Sequence, residues 1–389
     1  MENFIYNTPT KIFFGKKEEE KIGSIISSYK FKKILFHYGK SSIKKSGLYD
    51  LIISKLKENN IDYVELGGVE PNPKLSLVLK GVEICKKENI DFILAVGGGS
   101  VLDSAKLISS GALVDFNPWL FSIKEKISTK HIPVGTILTI SASGSDMSNS
   151  CVITNDLTKE KRGFNSEENR PLFAILDPEL TYTVSSYQTA CGITDIMMHT
   201  LERYFSLGED TPLTDNIALG LLKSVYDAGI IVMNDPYNYN ARATLMWANS
   251  LSHNGLTSCG RQFLMSVHQL EHELSGMYDN ISHGAGLAAL WPSWARVCYT
   301  GCKSRFKKFS NYMFGIEITE DDSDILKGIT TLEGFFKEIG MPTSLHELGV
   351  KEDTLEALAY NTMYKGKRTL KDIIEIDYNT ALKILKMAY

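Results

Sequence analysis

A chain of 389 residues is longer than one ordinary hydrophobic core organises, and this predicts two domains. Apolar residues make up 43% and charged residues 23%, the balance of a globular enzyme, and a formal net charge of -4 offers no basic field for nucleic acid. No apolar run approaches the roughly 20 residues of a bilayer span, and the polar N-terminus lacks a signal core, so neither membrane insertion nor secretion is expected. The six cysteines (Cys85, Cys151, Cys191, Cys259, Cys298 and Cys302) form no C-x-x-C pair, which predicts reduced thiols in a cytoplasmic protein. Cys298 and Cys302 read as packing residues on one helical face.

In chain order, the charged run at 16–21 reads as solvated surface. Residues 31–38 (FKKILFHY) are strand-like and run into Gly39. A Lys-rich amphipathic stretch leads to a strand at 63–66, and 75–89 carries helical spacing. DFILAV, 91–96, is a short β-rich run ending in Gly97; 132–134 and 172–176 (LFAIL) are further strands. Strands alternating with helices imply βαβ units and a largely parallel sheet. From Ser185 onward the period becomes 3.6. Helices are predicted over 185–206, 213–233, 239–252, 263–278, 286–297, 325–339 and 351–359. The expected architecture is therefore an α/β domain over 1–184 and an all-helical domain over 185–389. No internal repeat or low-complexity tract interrupts it.

Two loops in the first domain carry candidate binding residues. Gly97, Gly98, Gly99 and Ser100 lie between a strand and a helix-like VLDSAKLI. Glycines let the backbone approach a ligand, Ser100 could cap the helix, and free N–H groups at a helix start favour a pyrophosphate. The sequence is not G-x-G-x-x-G, and a plain tight turn is the alternative. The second loop, 138–149 (LTISASGSDMSN), has hydroxyls suited to a ribose or an amide, or equally to a surface turn.

The strongest chemical signal is in the helical half. Asp195 and His199 are four apart, as are His268 and His272, so each pair shares a helix face; His283 follows in SHGAG. Three imidazoles and a carboxylate suit Fe(II), Zn(II) or a similar ion, and sparing one of the five groups leaves four ligands. Either pair alone could instead be packed or solvated. Glu202 continues the Asp195/His199 face, as support for a ligand or as a surface ion pair near Arg203. His37, His131, His253 and His346 have no company and read as structural or surface residues.

The ordered set YGKSSIKKSG, GGVEPNP, LAVGGGSVLD, SASGSD, FAILDPELTYT, DIMMHTLERYF and HQLEHELSGMYD resembles the iron-containing alcohol dehydrogenase family over essentially the whole length, most closely its butanol dehydrogenase and aldehyde reductase branch. The resemblance implies a Rossmann-like NAD(P)-binding domain joined to a helical metal-binding domain, the dehydroquinate synthase-like fold, commonly in a homodimer. It implies metal ligation by Asp195, His199, His268 and His283, and a place near the nicotinamide for His272. It implies cofactor contacts at Gly39, Ser42, Asn72, Gly98, Gly99, Ser100, Asp103, Thr139, Ser143, Ser145 and Lys161. The implied activity is metal-assisted hydride transfer between NAD(P)(H) and a small primary alcohol or aldehyde such as butanol or butanal. The substrate is expected between the domains, and His272 would pass the proton to solvent. Strict NAD users tend to place an aspartate after the strand ending at Tyr38. Here Gly39, Lys40, Ser41 and Ser42 stand there with Lys44 and Lys45 nearby, which favours NADP(H). The chain departs from the branch at Lys40, and at Ser185, where many members carry proline. Rival readings are a glycerol dehydrogenase, a lyase of the same fold, or a non-catalytic scaffold.

Overall fold

In the computed structural model, residues 1–208 and 211–389 are described. They form two compact units: Asn7–Val184, and Ser185–Tyr389 together with Met1–Tyr6. The first six residues thus leave the α/β part to which the sequence assigned them. Glu2 N–H donates to Gly260 O at 2.9 Å, which ties the terminus to the helical unit.

The α/β unit holds a six-stranded, all-parallel sheet. Its strands are β1 (Lys11–Phe14), β2 (Lys33–Gly39), β3 (Asp62–Val69), β4 (Phe92–Gly97), β5 (Val134–Leu138) and, after an antiparallel hairpin of β6 (Ser150–Thr154) and β7 (Lys161–Asn165), β8 (Phe173–Leu176). The spatial order is β1-β8-β5-β4-β2-β3. The helices between them are α1 (Ile22–Ser28), α2 (Ser42–Lys45), α3 (Leu48–Glu58), α4 (Leu75–Glu88), α5 (Gly99–Gly111) and α6 (Trp119–Ser122). Alternation along β2 explains the layering. Ile34, Phe36 and Tyr38 join the cluster of Ile22, Ile26, Ile52 and Leu56 from α1 and α3. His37 points the other way, with its ring nitrogens bonded to Leu66 O (2.8 Å) and to Ser104 Oγ of α5 (2.9 Å). Burial pushes its pKa down to about 4, so the ring is neutral.

The helical unit comprises α7 (Ser186–Tyr204), α8 (Pro212–Asn234), α9 (Tyr239–His253), α10 (Ser266–Met277), α11 (His283–Cys298), α12 (Lys303–Phe314), α13 (Ser323–Glu338), α14 (Leu355–Thr362) and α15 (Tyr378–Ala388). Its core includes Trp291, Trp294, Phe306, Phe309 and Phe336, all 0% exposed. By length and composition alone α8 is apolar enough to cross a membrane; it carries Asp215, Lys223 and Asp227 and packs against α7 and α9.

Several expectations need correction. The strand placed at 132–134 lies at Val134–Leu138, beyond Pro133, which lacks the N–H a central strand needs. β1, the β6–β7 hairpin, α12 and α15 had no predicted counterpart. Ser100 is not a cap: Gly98 is the N-cap residue of α5, and Ser100 lies inside its first turn. Cys298 ends α11 while Cys302 precedes α12, so the two share no helix. The charged run is not all solvated, because Glu19 is buried, and burial raises its carboxyl to about 7.

Candidate functional site

Four side chains from three helices meet in the helical unit. Asp195 and His199 face the same way from successive turns of α7, His268 comes from the first turn of α10, and His283 is the first residue of α11. Asp195 Oδ1 lies 3.3 Å from His199 Nδ1, 3.6 Å from His268 Nε2 and 3.8 Å from His283 Nε2. Donor atoms about 2.1 Å from one ion in a tetrahedron sit about 3.4 Å apart, close to these three distances, and the donors of Asp195, His199 and His268 all lie within 4.8 Å of one another. Asp195, His199 and His268 are buried, and Asp195 Oδ1, His199 Nδ1 and His268 Nε2 have no hydrogen-bond partner among the described residues. Buried polar atoms left this way are costly, and three that face one another fit a cation. The donor set, three imidazole nitrogens and one carboxylate, suits Fe(II) or Zn(II).

Two further carboxylates orient the imidazoles. Glu202 of α7 accepts from His268 Nδ1 and from Val267 N–H at 2.7 Å. Glu271 of α10 accepts from His283 Nδ1. Each carboxylate thus supports a histidine on another helix, and holding the proton on Nδ1 makes Nε2 the atom that would face a cation. Glu202 is 1% exposed, which makes it a support and not a surface ion pair. The sequence reading missed Glu271. Its signal was present, since Glu202 and Glu271 each stand three residues after a histidine of the cluster, on the same helix face.

Electrostatics differ across the cluster. Burial lowers the pKa of His268, but the charge and hydrogen bond of Glu202, with Asp195, outweigh burial and raise it to about 9. His199 is pushed well below its ordinary value by burial, and further by His253, His268 and Arg203. His253 therefore has company, contrary to expectation: its ring centroid is 4.0 Å from that of His199. His272 is partly exposed and stands with Glu271 beside His283, its ring centroid 5.7 Å from that of His283.

In the α/β unit, most of the residues expected to contact a cofactor lie in loops after the sheet's parallel strands. Gly39 ends β2, Ser42 opens α2, Asn72 follows β3 in the left-handed region (φ 54°), Gly98 and Gly99 start α5, and Thr139 follows β5. The glycine and hydroxyl loops touch: a Cβ on Gly99 would lie 2.2 Å from Ser143 Oγ. Asp103 joins them from behind, accepting from Ser145 Oγ at 2.5 Å and from Val152 N–H at 2.9 Å. Asp103 thereby also shapes the loop. Lys161 is buried at the start of β7.

Family models for iron-containing alcohol dehydrogenases match residues 9–178, and the C-terminal part of that family residues 189–389. The chain is 42% identical, over 100% of both sequences, to NADH-dependent butanol dehydrogenase A of Clostridium acetobutylicum. It is 32% identical, again over 100% of both, to the NADPH-dependent aldehyde reductase YqhD of Escherichia coli. Among solved structures, NADH-dependent butanol dehydrogenase A of Thermotoga maritima superposes with a TM-score of 0.96 at 38% identity, covering 100% of this chain and 99% of that one.

Proposed function

The chain belongs to the iron-containing alcohol dehydrogenase family, and from that premise we propose that it interconverts small aldehydes and primary alcohols using NAD(P)(H). In the reducing direction one hydride and one proton are added to the aldehyde. The observation that carries the reading is the meeting of Asp195 Oδ1, His199 Nδ1 and His268 Nε2, buried and without hydrogen-bond partners among the described residues, with His283 Nε2 beside them. These four residues would hold one divalent ion, Fe(II) by family and Zn(II) as the alternative. When bound, the ion supplies Lewis-acid polarisation of the substrate oxygen. The nicotinamide supplies or takes the hydride, with the protein providing position and electrostatics. Glu202 and Glu271 hold two of the imidazoles in the ligating tautomer. His272, partly exposed beside the cluster, carries the proton to and from solvent. The glycine loop at the start of α5 takes the pyrophosphate. Gly39, Ser42, Asn72, Asp103, Thr139, Ser143, Ser145 and Lys161 complete the cofactor contacts. Six unbridged thiols are in keeping with a reducing, cytoplasmic setting.

The leaning toward NADP(H) is weakened at its source. It rested on Lys40, Ser41 and Ser42 in place of an aspartate, with Lys44 and Lys45 close by, and Lys40 is paired with Glu70 while Lys44 lies on aromatic rings. The butanol dehydrogenase relative is named for NADH and the aldehyde reductase for NADPH. We therefore propose that both cofactors are used.

The test is loss of reduced-nicotinamide absorbance when butanal is added to protein loaded with Fe(II) or Zn(II). Turnover is expected in the wild type, while His268→Ala lacks both metal and turnover and stays folded. No turnover with any short aldehyde refutes the activity, and a fully metallated, active His268→Ala refutes the ligand set.

A further inference from the structure

The three lysines that follow β2 are not equivalent. Lys44 Nζ sits 5.3 Å from the Tyr38 ring centroid and 4.8 Å from that of Tyr49, and both phenols donate to Glu65. Lys45 is exposed. Lys40 Nζ pairs with Glu70 Oε1 across the ends of two strands: Gly39 closes β2, Val69 closes β3, and these two are register partners. A Cβ on Gly39 would lie 3.7 Å from Val69 O and 3.9 Å from Val101 Cγ2, so the strand ends stand beside the first turn of α5.

Topology gives the location meaning. β2 is followed by β3 on one side and β4 by β5 on the other, so the winding reverses between β2 and β4. Open α/β sheets bind ligands outside the C-terminal strand ends at such a point. In dinucleotide folds a carboxylate near there bonds the ribose hydroxyl of NAD, whereas a cation accommodates the 2′-phosphate of NADP. Here glycine ends β2, and carboxylate and cation arrive together from neighbouring strands.

We propose that Glu70 sets the choice between NADH and NADPH, by neutralising Lys40 and so withholding it from a 2′-phosphate. This rests on the nucleotide site read above. The two halves of the pair then push the preference in opposite directions. Glu70→Gln releases the lysine and favours NADPH; Lys40→Ala leaves the carboxylate uncompensated and disfavours it. With the side chains 64% and 45% exposed, solvent and salt screen the effect. A change of about tenfold per substitution is expected, fading at high salt.

Fluorescence titration with NADH and NADPH reads this directly and needs no bound metal. Glu70→Gln should raise the ratio of NADPH to NADH affinity about tenfold, Lys40→Ala should lower it, and the double variant should return near the wild type. If both cofactors bind and the two single variants shift the ratio in the same direction, or not at all, Glu70 is not the selector. If neither cofactor binds the wild type, the nucleotide-site reading fails first and takes the proposal with it.

Discussion

Glu202 and Glu271 stand behind the side chains proposed to hold the ion. Each accepts the Nδ1 proton of a histidine on another helix, and each is at most 1% exposed. Their negative charge raises the basicity of the imidazole as well as fixing its tautomer. Glu271→Gln keeps the shape but loses the charge, so metal dissociation should rise about 10–100-fold, measured by competition with a chromogenic chelator. Unchanged metal affinity would reduce Glu271 to a packing residue. His37 makes a useful contrast. It too is buried and doubly bonded, to Leu66 O and Ser104 Oγ, but it locks β2 to β3 and α5 and offers no nitrogen to a metal.

Among the elements, α7 and α11 approach so closely that their contact dictates ligand spacing. A Cβ on Gly284 would lie 2.2 Å from the carbonyl oxygen of Cys191 and 2.7 Å from its Cα, and these are backbone atoms that no rotamer change can move. Gly284 follows His283, and Cys191 lies one turn before Asp195, so any substitution there pushes apart two of the four side chains proposed to hold one ion. Gly284→Ala should cost about 1–3 kcal/mol by overpacking and lower bound metal, read by thermal melting and metal analysis. Gly334 is the counterexample within the same unit. It is exposed in α13 with nothing within 4 Å of an added Cβ, so Gly334→Ala should stabilise by about 0.4–1 kcal/mol. A destabilising alanine at 334, or a harmless one at 284, contradicts the packing argument.

At the scale of the molecule, the candidate sites belong to different compact units. The cation cluster lies in Ser185–Tyr389, and the glycine and hydroxyl loops lie in Asn7–Val184. A ligand stabilises what it binds by mass action, about 2.7 kcal/mol at a hundred times its dissociation constant. Hydrogen exchange should therefore separate the two. Chelation is expected to speed exchange first in α7, α10 and the start of α11, and NAD(P)H to slow it first around β4 and α5. A metal effect centred on β4 and α5 would mean that the ion is held elsewhere.

What residue order determined is what local spacing encodes. The α/β-then-helical division, the strand–glycine–helix unit at 91–108 and the paired Asp195/His199 and His268/His272 faces all follow from periods of 2 and 3.6 and from turn chemistry. The ordered motifs also pointed to the family to which the chain belongs. Only tertiary structure decided which groups meet. It set His253 against His199, assigned Glu271 to His283, paired Lys40 with Glu70, and gave the first six residues to the helical unit. The reason is physical: a helix or strand period specifies which side chains share a face, whereas contacts between elements depend on how those faces pack across long separations in the chain.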